Sequence, residues 1–233
     1  MPKRTLTPTY NAYQFGTCTP LTELQLTRLI GFFSQPPPDT DSVLGGRGSV
    51  SYHRIDDLGS VVVKHYKRGG LVGRLIRRRY IKWGKSRSQL EFELLQKAGG
   101  LGINVPEPLV YANRGGLIYR AWLVTREIKS PVSLARLSLD DEKRTRRVMT
   151  PVIEQILRLI EHRIVHVDLH PGNVLIDSRD RVFLLDFDKG KIHRGNKTRL
   201  RERYVKRWQR AVSKHGLPDY LNEMLEDGLQ GIK

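Results

Sequence analysis

The stretch His166-Val-Asp-Leu-His-Pro-Gly-Asn173, followed by Val174-Leu-Ile-Asp177 and Leu184-Leu-Asp-Phe-Asp188, holds three oxygen-bearing side chains at suggestive intervals. Asp168 and Asn173 are five residues apart in a Pro/Gly-containing loop, and Asp186 follows thirteen residues later at the end of an apolar run. Phosphoryl transfer is the chemistry that uses such a set. It asks little covalent help of a protein, but an acceptor hydroxyl must be oriented and its proton accepted. The magnesium ions that bridge the phosphates also need hard oxygen ligands. Asp168 suits the first task; the Asn173 amide oxygen and the Asp186 carboxylate suit the second. A rival reading takes His162, His166 and His170, four residues apart, as metal ligands along one helix face. Pro171-Gly172 would break that helix, which weakens the rival.

This H-x-D-x-x-x-x-N…D-F spacing is the layout of kinase-like phosphotransferases, and matching upstream features occur in the same order. Gly46 and Gly48, in Gly45-Gly46-Arg47-Gly48, can bring backbone N–H groups close to the phosphates of ATP, although Ser51 stands where a third glycine is usual. Lys64 directly follows Val61-Val-Val63, the place of a strand lysine that holds phosphates. Glu91 is the favoured helix carboxylate to orient Lys64, with Glu93 as its competitor. Trp122 to Ile128 occupies the position of an inter-lobe hinge, with ordinary core strand as the alternative for Trp122. Departures from protein kinases narrow the class. Val167 replaces the arginine of H-R-D, Asp186-Phe-Asp188 replaces D-F-G, no A-P-E segment follows, and His170 stands where a lysine is common. These features favour a small-molecule or glycan hydroxyl over a protein side chain as acceptor.

The elements that must position these residues are legible in outline. Thr19-Pro20 can start a helix over Leu21 to Phe33, with Pro36-Pro37-Pro38 ending it. Ser60 to Tyr66 reads as a strand, 71–98 as two helical stretches, and Leu117 to Ile128 as strand. Asp140 to Arg163 has the apolar period of one long helix, and Val174-Ile176 and Val182-Leu185 are short strands. Strands early and helices late predict an α+β, protein-kinase-like two-lobed fold with a small β-rich N-lobe and a helical C-lobe. The division expected is an N-terminal extension over 1–40, an N-lobe over 41–128 with a basic helical insert at 67–87, and a C-lobe over 129–233 ending in a basic helix at 198–215.

The chain has 233 residues with 41 Lys+Arg against 24 Asp+Glu, a net charge of +17. That excess is concentrated. Lys64 to Arg87 holds ten basic residues and no acid, and Lys189 to Arg210 holds ten with only Glu202 opposing. The remaining 187 residues carry 21 basic against 23 acidic groups, a net of −2. Wholesale disorder is excluded by 39% hydrophobic content, and an internal disulfide framework by the lone Cys18. No apolar run approaches the ~20 residues of a membrane span, and the N-terminus lacks the apolar core of a signal peptide. A cytoplasmic chain with anionic partners is expected. In Leu71 to Trp83 apolar residues including Tyr80 recur at helical spacing, and Leu200, Tyr204, Trp208 and Val212 recur four apart. Each stripe suits either an anionic membrane interface or packing on the protein body.

Several segments together resemble the lipopolysaccharide core kinase family. They are Tyr66-Lys-Arg-Gly-Gly-Leu-Val-Gly-Arg-Leu-Ile76, Arg79-Tyr80, Glu91-Phe92, Leu94-Leu95, Val105-Pro-Glu-Pro108, Tyr119-Arg-Ala121 and Leu185-Asp-Phe-Asp-Lys189, within about residues 44–210. The resemblance implies Mg2+- and ATP-dependent phosphorylation of the 4-hydroxyl of 3-deoxy-D-manno-octulosonic acid (Kdo) on a lipid A precursor. It also implies a peripheral place at the cytoplasmic face of the inner membrane, with its anionic surface as partner. By position, Asp168 would be the base, Lys64 the phosphate lysine, and Asn173 and Asp186 the metal ligands. Alternatives are a heptose kinase of the same pathway, an aminoglycoside-type kinase, or a nucleic-acid-binding protein on a degenerate kinase fold. The complete Asp/Asn/Asp set and the lack of a nucleic-acid motif argue against the last.

Overall fold

The computed structural model describes residues 5–35, 50–66, 80–81, 84–116 and 118–230. Gly46, Gly48, Pro36-Pro37-Pro38 and most of the basic insert lie outside them. The chain divides into two compact units. The first takes residues 5–35, 50–66, 80–81, 84–96, 107–116 and 118–127, the second 97–106 and 128–230.

In the first unit, strands β1 (Thr9–Tyr10) and β2 (Tyr13–Thr17) precede helix α1 (Glu23–Ser34), then come β3 (Val50–Ile55), β4 (Gly59–His65) and β5 (Tyr80–Ile81). Helix α2 (Arg87–Gly100) and strands β6 (Pro108–Gly115) and β7 (Ile118–Arg126) follow. The strands form one antiparallel sheet in the order β1-β2-β6-β7-β4-β3, with β5 also on β7. Alternation along β4 sends Val61 and Val63 to one face, where they share a core with Phe15, Leu29 and Phe33 from β2 and α1. Lys64 therefore points to the opposite face, where α2 packs through Phe92 on the Tyr111 ring at 5.2 Å. Gly16 is opposite Tyr111 in the ladder, and a Cβ there would fall 1.9 Å from that ring.

Residues 5–35, read as an N-terminal extension, contribute to this sheet and core: β2 pairs with β6 over five residues, and Tyr13, Phe15, Leu29 and Phe33 are core. Two expectations are corrected here. The helix starts later than Thr19-Pro20. Thr22 caps it because Gln25 completes a capping box, its amide oxygen accepting from the Thr22 N–H at 3.0 Å. Second, the expected helical stripe does not run through Tyr80 and Ile81, which are paired as strand with Tyr119 and Ile118. Strand β4 ends opposite Trp122, leaving that end of β7 with an edge for β5 to satisfy.

The second unit is built around helices. After β8 (Val132–Ser133) come α3 (Leu134–Asp140) and α4 (Glu142–Glu161), separated at Asp141, whose carboxylate caps α4 by accepting from the Arg144 N–H at 2.8 Å. The expected single helix is thus interrupted at its first residues. Val148, Val152, Ile156, Leu159 and Ile160 of α4 are buried as its period requires. Then follow β9 (Ile164–Val165), a 3-10 turn at Pro171–Asn173, β10 (Val174–Ile176), β11 (Val182–Leu184), β12 (Lys191–Ile192), α5 (Lys197–Lys214) and α6 (Tyr220–Gln230). The α+β class, β-rich first and helical second, is as expected. Residues 97–106 join this unit through Asn104, whose N–H donates to Gln155 at 2.6 Å and whose carbonyl accepts from the Leu184 N–H at 2.9 Å.

Candidate active site

Lys64 and Glu91 meet on the α2 face of the sheet. The ammonium donates to both carboxylate oxygens of Glu91 at 2.9 and 3.0 Å. Glu91 is buried because Ser88, Phe92 and Leu95 put that side of α2 against the sheet, Ser88 Oγ donating to the Ala112 carbonyl at 3.2 Å. The Tyr66 hydroxyl donates to the second Glu91 oxygen, so the carboxylate is held from two sides. Glu93 faces outward, where it accepts from Lys85 at 2.6 Å and from Gln89 at 3.1 Å. Tyr66 was not anticipated, although strand alternation from Lys64 puts it on the same face. Trp122 belongs to the core, stacked on Phe33 at 4.8 Å with its indole N–H donating to His65 Nδ1 at 3.2 Å.

In the second unit the loop from His166 to Asn173 closes on itself. The Asn173 side-chain N–H donates to the Asp168 carbonyl at 2.8 Å, which turns its amide oxygen to the other side. The Asn173 carbonyl accepts from the Leu185 N–H at 2.9 Å, tying the loop to the residue before Asp186. His166 is buried, donates from Nε2 to the Leu185 carbonyl at 2.6 Å, and packs edge-on against Phe187 at 4.7 Å. Asp186 thus sits between two anchored neighbours, in a left-handed backbone conformation with φ of 59°. That conformation costs energy for a non-glycine residue and persists only where surroundings impose it. Asp168, Asn173 and Asp186 are therefore held by one hydrogen-bonded loop and strand. Asn173 Oδ1 and the Asp186 carboxylate are a donor set suited to Mg2+, which keeps water and substrate phosphates as its other ligands.

The histidines do not gather as metal ligands. Among the described residues no group of three His, Cys, Asp or Glu side chains converges for a metal. His170 Nδ1 accepts from the Gly172 N–H at 3.1 Å, so in the neutral ring the proton is on Nε2, 4.0 Å from Asp168 Oδ2. Burial pushes the His170 pKa below its ordinary 6.5, with His215 and Lys214 adding to this and Asp186 opposing it.

Helix α5 supports the loop from behind. The Tyr204 hydroxyl donates to the Ile164 carbonyl and accepts from the His166 N–H at 2.9 Å. Burial raises the pKa of this phenol, which keeps it a donor. Trp208 is fully buried, its indole N–H donating to the Leu221 carbonyl of α6 at 3.2 Å. Leu200, Tyr204, Trp208 and Val212 are all at most 1% exposed, so this stripe packs inward and is no membrane face. The rest of the helix borders a groove of about 430 Å³ lined by Val167, Arg199, Arg203, Lys206, Arg207 and Arg210, with Glu202 its one acid. From it Arg207 reaches Asp168 and donates to Oδ1. Arg207 was not anticipated. Helical period puts it beside Trp208, but nothing local signals that it meets a residue 39 positions earlier.

The profile of the lipopolysaccharide kinase (Kdo/WaaP) family matches residues 44–224 of this chain. A 3-deoxy-D-manno-octulosonic acid kinase from Photobacterium profundum is 33% identical over 195 residues, 75% of this chain and 82% of that protein. Proteins of the same name from Xylella fastidiosa (strain 9a5c) and Vibrio cholerae are 36% and 29% identical, over 73% and 78% of this chain and 68% and 77% of theirs.

Proposed function

The chain belongs to the lipopolysaccharide kinase (Kdo/WaaP) family, and from that footing we propose that it phosphorylates the 4-hydroxyl of Kdo on a lipid A precursor at the expense of ATP. The observation that carries the reading is the closed loop in which Asn173 bonds the Asp168 carbonyl and Leu185 bonds Asn173. It ties together the backbone that carries Asp168, Asn173 and Asp186, which supports a reading in which a base and two oxygen donors act together on a hydroxyl.

In the proposed reaction the Asp168 carboxylate orients the acceptor hydroxyl and accepts its proton as the oxygen bonds to the γ-phosphorus, and ADP leaves. Neutral His170, its Nε2–H toward Asp168, keeps a second positive charge away from the base. Lys64, held by Glu91 and Tyr66, binds the α- and β-phosphates. Mg2+ bound by Asn173 and Asp186 would offset the charge of the β- and γ-phosphates. Gly46 and Gly48, assigned to the phosphates by sequence, lie outside the described residues. No helix among the described residues is long and apolar enough to cross a membrane. The exposed basic side of α5 supports a peripheral place at the anionic cytoplasmic face of the inner membrane.

The test is incubation with labelled ATP and a Kdo-bearing lipid A precursor, beside a heptosylated acceptor. Label should enter the Kdo acceptor, and Asp168→Ala should lower kcat by about 100- to 10,000-fold while the far-UV spectrum and Tm hold. Label entering only the heptosylated acceptor would transfer the assignment to heptose, and undiminished turnover by Asp168→Ala would remove the base.

A further inference from the structure

We propose that the basic groove beside Asp168 seats the acceptor's own carboxylate, and that Arg207 is a latch that frees Asp168 only when that anion arrives. The inference rests on the Kdo reading above, since Kdo is a sugar acid that brings a hydroxyl and a carboxylate on one ring.

The Arg207 guanidinium bonds Asp168 Oδ1, one of the two carboxylate oxygens that can take the hydroxyl proton. A carboxylate so engaged is a weaker base and a partly blocked one. Both partners are about two-fifths exposed, so water and solutes reach the pair and its net stabilisation is small. It is exchangeable. The competitor it would exchange for is defined by the groove: Arg199, Arg203, Lys206 and Arg210 surround Arg207, while Glu202 is the one acid. Such a setting favours an anion over the neutral hydroxyls of a sugar. Arginine forks bind carboxylates bidentately, so an acceptor carboxylate can draw Arg207 off Asp168 and remain bound to it. Val167, next to Asp168 in the chain, lines the groove, which places the anion seat adjacent to the base. The backbone of α5 stays put because Tyr204 and Trp208 are buried and bonded, so the exchange is a side-chain event. The latch makes hydroxyl selection depend on the acid group beside it. It also keeps the base occupied when ATP is bound without acceptor, suppressing transfer to water.

The experiment uses the full chain with two acceptors, the Kdo-bearing precursor and the same molecule with its Kdo carboxyl reduced to an alcohol. The wild type should prefer the acid by about 10- to 100-fold in kcat/KM, the worth of one charge-assisted hydrogen bond. In Arg207→Gln the preference should shrink to a few-fold, and acceptor-free hydrolysis of ATP should rise several-fold. Arg207→Lys should recover part of the preference. Arg203→Gln should raise the acceptor KM, and its acceptor-free hydrolysis should stay below that of Arg207→Gln. Arg207→Gln with wild-type preference, or indistinguishable from Arg203→Gln in both assays, would overturn the latch. So would anionic phosphatidylglycerol vesicles that stimulate wild-type acceptor-free hydrolysis as Arg207→Gln does, because the ligand would then be a lipid headgroup. If the wild type phosphorylates neither acceptor, the Kdo reading falls. The latch is then decided by acceptor-free hydrolysis alone, which Arg207→Gln must still raise.

Discussion

Lys64–Glu91 and Asp168–Arg207 are ion pairs joining residues 27 and 39 positions apart, but water reaches them very differently. Glu91 is 3% exposed, is bound by both Lys64 and Tyr66, and has the sheet on one side and α2 on the other. The Asp168 pair is open, with about two-fifths of each side chain in solvent. Desolvating two charges is costly, so an enclosed pair holds only while complete, whereas an exposed pair can form and break at little cost. The first is therefore a fixed contact and the second an exchangeable one.

The sharpest way to break this contrast is to remove one cation from each pair. Lys64→Met leaves Glu91 buried with only Tyr66, and should cost about 3 kcal/mol and lower Tm by roughly 6 to 12 °C. Arg207→Gln should change stability by less than about 1 kcal/mol. Equal shifts in a thermal melt would erase the distinction between the two pairs.

An intermediate effect separates ion pairing from neutral hydrogen bonding. Tyr204→Phe keeps the ring but orphans the Ile164 carbonyl and the His166 N–H, both buried. It should cost about 1 to 3 kcal/mol. That exceeds the Arg207→Gln effect although no charge is lost, because the start of the His166–Asn173 loop is held by the phenol and the guanidinium is free to leave. A melt unchanged from the wild type would mean that α5 is held by its apolar stripe alone.

The smallest effect concerns His170. Its native pKa lies below the ordinary 6.5, so the unfolded chain binds this proton more readily than the native one. Stability from this group is complete above pH 6.5 and is lost as pH falls from there through the native value. His170→Asn should flatten the corresponding part of a plot of Tm against pH, relative to the wild type. An identical slope would show that other groups, such as His53 with its similarly lowered pKa, dominate acid sensitivity.

The stretches with strong local patterns were legible in advance. The alternation of Val61, Val63 and Lys64, the period of α4, and the Pro/Gly loop carrying Asp168 and Asn173 all encode their own geometry. What misled was ambiguity at short range. Tyr80-Ile81 fits a helical stripe, yet an open edge of β7 claims it as strand. The four-residue stripe of α5 suits a membrane or a core equally well, and β9, the loop from His166 and α6 made it core.

The sequence alone groups Asp168, Asn173 and Asp186, because they are close in the chain and their spacing follows one local loop and strand. It also located the charge, since two dense basic segments need no fold to be counted. Packing in three dimensions is what brings Glu91 to Lys64, turns Glu93 away to Lys85, and brings Arg207 to Asp168. Those contacts join distant residues, and their existence depends on which helix face is buried. Hydrophobic packing of whole elements sets that face, and no local pattern around a charged side chain reveals it.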